Sequence, residues 1–472
     1  MNIDFHYYGT YAAARLAGWP VEDARLIAHA AQYVDDCEKK RLRHIPDGIP
    51  TVQSILSLAV HDILWDEPFK REIARVWPVF HFLPANYDEH GLPAIPYQGA
   101  EEHASTLSEW HWDEDAENQY RYICAENSPL AAAIVNGVAA LREEPYYPHA
   151  VGLTMHVLAD TWAHMRYAGL PSWFMNTGAI MDKLPEPVFS ATDMHDEICW
   201  QHDADSPDLE GRDDDMEADE DLLLWKRLLA EKRAKPDTGE PLSVPPTAGE
   251  KRSRVSGSRE DMLVYWERIL DEEGRLRRPV SSLQRDMLGW ENVLAFNSYL
   301  FLGHSRSRHT PDYPYQIYSH RPQWRVQAPA PNAFGKNNRD HFRLAFLQMI
   351  QALECIREQE VFQTGTYAPI SQHNDQVLHQ ILTGAVSGSI QAQSTCWRNF
   401  MGGMQVADQQ AMEVPPPYDR KAWALAAKNT HDAGGDIATT HAARFNLAAQ
   451  AHLGRVQVFL NALGMDLNTV PI

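Results

Sequence analysis

The chain has 472 residues, 44% of them hydrophobic, enough to bury one large core or two ordinary ones, and this excludes disorder throughout. Its 64 acidic against 42 basic residues leave a formal charge of -22, which argues against duplex nucleic acid as a partner, because a phosphate backbone repels such a surface. Five cysteines (Cys37, Cys124, Cys199, Cys355, Cys396) share no CxxC spacing, so neither a thiolate zinc knuckle nor a disulfide framework is expected.

The start, MNIDFHYYGTYAAARLAGW, has no basic segment followed by a continuous apolar run, and no stretch reaches the ~18 apolar residues of a membrane span. The expectation is a protein made in the cytoplasm, with signal-independent secretion as the alternative. Pro20-Val21-Glu22-Asp23 puts a proline and two acids in a first turn. Ala24, Ile27, Ala28, Ala31 and Val34 follow at helical spacing, predicting a helix that ends near Lys39. Pro148 opens the second strong pattern, 148–168, which carries Val151, Leu153, Val157, Leu158, Trp162 and Ala163. Further helices are predicted at 51–64, 129–142, 258–273, 282–303, 338–360, 373–390, 419–432 and 440–464. No alternating strand pattern is convincing.

The predicted fold class is therefore all-α, a multi-helix globular core with a polar insertion. That insertion is 203–257, an acidic run (DADSPDLEGRDDDMEADED) followed by a stretch rich in proline, glycine, serine and charge. It divides an N-terminal helical metal-binding part, 1–202, from a C-terminal helical part, 258–472, expected to pack on the first and complete its site.

The segment from His149 to His164 carries the chemistry. A four-residue step turns only ~40° around a helix, so His156, Asp160 and His164 share one face. Three such groups on an otherwise apolar helix are costly to bury unless a metal or hydrogen-bonding partners satisfy them. Asp4 and His6, an i, i+2 pair in IDFH, are expected on an extended or turn segment that points into a core. Asp35 and Asp36 end the first helix, where the macrodipole is already negative; either a cation compensates them or they are solvated near Lys39 and Lys40. His81, in VWPVFHFLP, is expected to be buried, as a ligand or as a core histidine donating to a carbonyl.

In GHSRSRHTPDYPY, His304, His309 and Asp312 offer further metal ligands. Arg306 and Arg308 suit a bidentate phosphate contact or form an exposed basic loop. His195, Asp196, Glu197, His202 and Asp203 run into the acidic stretch, and His103 and His111 stand among acids; both groups read as solvated. No Walker loop, GxSxG elbow or dinucleotide glycine fingerprint follows a strand.

IDFHYYGTYAAARLAGW, AHAAQYVDD, FHFLP and MHVLADTWAHMRYAG, with the later GHSRSRHTPDYPY and NNRDHF, resemble a bacterial family defined only as a domain of unknown function, over most of the chain outside 203–257. An N-terminal histidine, an early aspartate, a later histidine and then HxxxD followed by histidine is also similar to the bacterial zinc phospholipase C and single-strand nuclease superfamily. That resemblance implies an all-α fold with clustered zinc ions, held by His6, Asp35 or Asp36, His81, His156, Asp160 and His164. The superfamily enzymes start, after signal cleavage, with a tryptophan whose amine and carbonyl bind metal, whereas this sequence starts with Met1. Their closing HxxxE helix has no clear counterpart after His164, and the GHSRSRHTPD loop is the expected source of replacement ligands.

The leading expectation is a metal-dependent hydrolase of phosphoester bonds in a phospholipid headgroup or nucleotide, using one to three Zn2+ ions. Mn2+ or Fe2+ also accept mixed histidine and carboxylate ligands. His6, Asp36, His81, His156, Asp160 and His164 would hold metal, joined by His304, His309 and Asp312. Asp35 or Asp4 would act as general base or orient a ligand, and Arg306 or Arg308 would clamp the substrate. One alternative is a non-enzymatic helical protein with a structural metal. Another is a secreted antibacterial effector using the same site, partnered by an immunity protein or secretion machinery.

Overall fold

The computed structural model describes residues 1–37, 51–55, 67–94, 120–170, 179–180, 303–304, 310–315, 317–320, 334–384 and 390–468. The chain enters through a six-residue π-helix, Asp4–Gly9, that runs directly into helix α1, Thr10–Leu16. All residues from Asp4 to Ala14 are buried. A π turn widens the helix by one residue, a form that recurs at functional sites. Pro20 then caps α2, Val21–Asp36, whose apolar positions face inward as the spacing predicts.

Helix α3, Glu67–Phe80, and helix α4, Pro129–Val138, lead to α5, Tyr147–Ala163. Ser128 caps α4 by accepting the Ala131 N–H at 3.1 Å, with Pro129 in the first turn. Helix α5 is apolar on nearly all sides, so only a fully buried position satisfies it. Every residue but Pro148 is buried, under α2, α4, α6 (Asn338–Glu358) and α10 (His441–Ala462). Gly152 allows the closest of these approaches, since a Cβ there would lie 2.2 Å from the Ile27 carbonyl oxygen of α2. Helices α7 (Gln372–Gly384), α8 (Ile390–Phe400) and α9 (Ala422–Asp432) complete the described set.

The fold among the described residues is mostly helical, in agreement with the all-α expectation. One small antiparallel sheet was not anticipated: β1 (Ala179–Ile180), β2 (Ile317–His320) and β3 (Phe334–Asn337), in that order, with Tyr318 opposite Ile180 and Lys336. Strands of two to four residues are too short to display an alternating pattern. Also unanticipated are the helices at 4–16, 67–80 and 390–400. Residues 51–55 of the helix predicted at 51–64 are not helical, the helix predicted at 258–273 lies outside the described residues, and of the one predicted at 282–303 only Gly303 is described, in a turn.

Residues Met1–Leu56, Lys70–Glu186 and Leu302–Ile472 form one compact unit. A second, Ser57–Phe69 with Pro187–Phe301, lies almost wholly outside the described residues, as do the predicted insertion and its boundaries. Among the described residues no helix is long and apolar enough to cross a membrane.

Candidate metal centre

Four segments converge on the lower half of α5. The helix itself brings His156 and Asp160, one turn apart, and ends so that His164 is its C-cap residue. The π-helix brings His6, the last turn of α2 brings Asp35, and the turn after α3 brings His81. His304 follows Gly303, and Asp312 closes a short 3-10 turn, Thr310–Asp312. His6, His81, His156, Asp160, His164 and Asp312 are all buried, while Asp35 and His304 each keep 17% of their side chains exposed.

The ring nitrogens are set by backbone carbonyls, which only accept hydrogen bonds. His81 Nε2 donates to the Ser54 carbonyl at 2.8 Å, which directs Nδ1 at the carboxylates. His164 Nδ1 donates to the His81 carbonyl at 2.7 Å, leaving Nε2 to face Asp312 at 3.3 Å. Burial lowers His6 to about 4 and drives His156 well below the ordinary histidine range, so both rings are neutral with lone pairs free. Neither His6 nitrogen, nor His156 Nδ1, has a hydrogen-bond partner of good geometry although all are buried.

Three adjoining groups of donors result. In the first, His81 Nδ1, His156 Nε2 and Asp160 Oδ2 form a triangle with edges of 3.2, 3.2 and 3.3 Å, and Asp35 Oδ1 stands 3.8 Å from both nitrogens. Donors ~2.0–2.1 Å from a tetrahedral zinc lie roughly 3.3–3.4 Å apart, so this triangle has the size of one tetrahedral face. In the second group, His6 Nε2 lies 3.2 Å from Asp160 Oδ1 and 4.0 Å from Asp35 Oδ2. The Met1 amino group is 2.7 Å from the same Asp160 oxygen and 3.2 Å from Asp312 Oδ1. In the third, His164 Nε2 and His304 Nε2 each stand 3.3 Å from one oxygen of Asp312.

The carboxylates have opposed proton affinities. Burial alone would raise Asp160, but His164 and the Met1 amino group outweigh it and hold Asp160 well below the usual range. Asp35 is pushed well above that range, first by burial and then by the charge of Asp160. A divalent cation between them would satisfy both, and the orphaned histidine nitrogens with them. The residues present therefore fit a metal.

Of the two adjacent aspartates it is Asp35, expected as a base, that faces the histidines. Asp36, expected as a ligand, is turned ~100° further around α2 and meets the Tyr418 hydroxyl at 2.6 Å and Arg420 at 3.7 Å. Asp4 is buried with a carboxyl raised to about 8, mainly by burial, and Gln393, with its amide nitrogen turned inward, donates to it at 3.1 and 3.3 Å. Arg306, Arg308 and His309 lie outside the described residues, as do His103, His111, His195, Asp196, Glu197, His202 and Asp203. The sequence reading missed the Ser54 carbonyl, a backbone contact without a sequence signal, and Gln32, a lone polar residue in AHAAQYV whose amide reaches Asp35 at 3.4 Å.

No curated protein and no solved structure matches the chain. A family model described as a family of unknown function (DUF6765) matches residues 1–459, and the chain belongs to that family.

Proposed function

We propose that this chain is a metal-dependent hydrolase of phosphoester bonds, with Zn2+ as the preferred ion. The observation that carries the reading is the inequality of the donor groups. The first joins Asp35, His81 and His156, and Asp160 Oδ2 stands 3.2 Å from both of its ring nitrogens, so with Asp160 it offers the four protein donors of a closed structural site. The third joins, among the described residues, His164, His304 and Asp312, and His304 is partly exposed. Three protein ligands at a solvent-reachable edge leave a position for water, as catalytic zinc sites do. Zinc bound there would supply hydroxide near neutral pH and polarise a phosphoryl oxygen.

Within that reading, the Ser54 and His81 carbonyls hold the His81 and His164 rings in one tautomer, and Asp312 spans His164 and His304. The order of donors along the sequence, and its similarity to the zinc phospholipase C and single-strand nuclease superfamily, support a phospholipid or nucleotide phosphoester as substrate and a fold of that type. A structural metal is the second reading, favoured by the closure of the first group.

Metal content and hydrolysis separate the two. Wild type is expected to hold two or more equivalents of zinc and to cleave bis(4-nitrophenyl) phosphate or phospholipid vesicles. Asp312→Asn is expected to lose hydrolysis while keeping at least one equivalent. Hydrolysis undiminished in Asp312→Asn, or wild type without metal after reconstitution, would overturn the reading.

A further inference from the structure

We infer that Gln32 is a positioning residue that sets which oxygen of Asp35 meets the first group of donors, and so tunes cation affinity there. The inference rests on the metal-centre reading. Asp35 is the most exposed of the four residues in that group, and it sits in the last turn of α2 with no basic residue there to steady it. Its side chain has two faces: Oδ1 stands 3.8 Å from His81 Nδ1 and His156 Nε2, while Oδ2 points toward His6. Gln32, one turn earlier on the same helix, donates its Nε2 to Oδ2 at 3.4 Å, which leaves Oδ1 for the cation. Ligating carboxylates are commonly oriented by an outer hydrogen bond of this kind.

Gln32 is 6% exposed, and its Oε1 is buried with no hydrogen-bond partner. A buried amide left half satisfied is a cost to the fold, so packing does not account for a glutamine here. Methionine has nearly the same length and shape and would fill the space without that cost. The amide is therefore explained by what its nitrogen does to Asp35.

The test uses the full chain stripped of metal with a chelator, titrated with Zn2+ against a chromophoric competitor, beside thermal unfolding of the metal-free protein. Gln32→Met is expected to weaken one zinc equivalent about 10- to 100-fold, the range for loss of an outer partner, while the metal-free Tm stays the same or rises. In a double-mutant cycle, Gln32→Met is expected to add no further loss to Asp35→Asn, because it acts through that carboxylate. Zinc affinity within twofold of wild type in Gln32→Met would overturn the inference and leave the metal centre standing. A matching fall in metal-free Tm would overturn it too, by making Gln32 a packing residue. Wild type that takes up no zinc would overturn both.

Discussion

Gly152 is the point where fold and site depend on one contact. An alanine is normally worth about 1 kcal/mol over glycine inside a helix, so Gly152→Ala in α5 would stabilise an isolated helix. In this protein the added Cβ would stand 2.2 Å from the Ile27 carbonyl oxygen and 2.7 Å from the Ala30 Cβ, and real Cβ contacts do not fall below 3.0 Å. The first gap alone requires α2 and α5 to separate by 0.8 Å, since both atoms are rigid backbone or Cβ. Overpacking of this kind costs about 1–3 kcal/mol, which exceeds the propensity gain or at best cancels it. The same separation moves Asp35, two turns further along α2, away from His156, one turn further along α5, whose atoms now stand 3.8 Å apart. Gly152→Ala is expected to lower the Tm of the metal-free protein and to weaken zinc binding in the same variant. Chemical unfolding and zinc titration measure the two effects. A variant more stable than wild type, with unchanged zinc affinity, would refute the reasoning that α2 and α5 touch at this glycine.

Three further outcomes are expected. Burial holds the His452 ring, which meets the Val79 carbonyl at 3.0 Å, down at about 4. Its contribution is then complete above the unfolded-state value near 6.5 and is lost as pH falls from there toward 4. At ~1.36 kcal/mol per unit this amounts to about 3 kcal/mol, to be read as a flatter acid limb of urea-unfolding stability in His452→Gln. Zinc at 100 times its Kd is expected to stabilise the stripped protein by about 2.7 kcal/mol, and an Asp160→Ala chain to show little of that shift in scanning calorimetry. Gly303 has φ +59 and a Cβ there would lie 2.2 Å from Phe82 Cζ, so Gly303→Ala is expected to displace His304, lowering the zinc count by one equivalent together with the Tm.

The parts of the site that were legible in the sequence are those fixed by local geometry. His156 and Asp160 share a face because any helix puts residues four apart in one column, and the apolar residues around them marked that helix as buried. Which of Asp35 and Asp36 faces inward depends on how α2 rolls against α5, and the contact that sets the roll joins Ile27 to Gly152, far apart in sequence. The π-helix has the composition of an ordinary helix, so its extra residue per turn leaves no trace in the pattern. Helix α8, IQAQSTCWRNF, has few strongly apolar residues to mark it, and one of its own polar residues, Gln393, is what binds Asp4.

One helix serves three donor groups, and it stops at the last of them. Had α5 continued, the Ala163 carbonyl would accept the Tyr167 N–H. Instead the Lys336 ammonium, fully buried on β3, donates to the Ala163 carbonyl, and the Tyr167 N–H turns back to the His164 carbonyl at 3.0 Å. Arg166 takes a left-handed backbone conformation, φ 70, which completes the break. The His164 N–H still bonds the Asp160 carbonyl at 2.8 Å and its Nδ1 stands 3.6 Å from Asp160 Oδ2, while the ring lies flat against Phe82, 4.4 Å between centroids, with Nε2 directed at Asp312. The small unexpected sheet thus has a place beside the chemistry: it carries the lysine that takes the Ala163 carbonyl where α5 ends, one residue before His164.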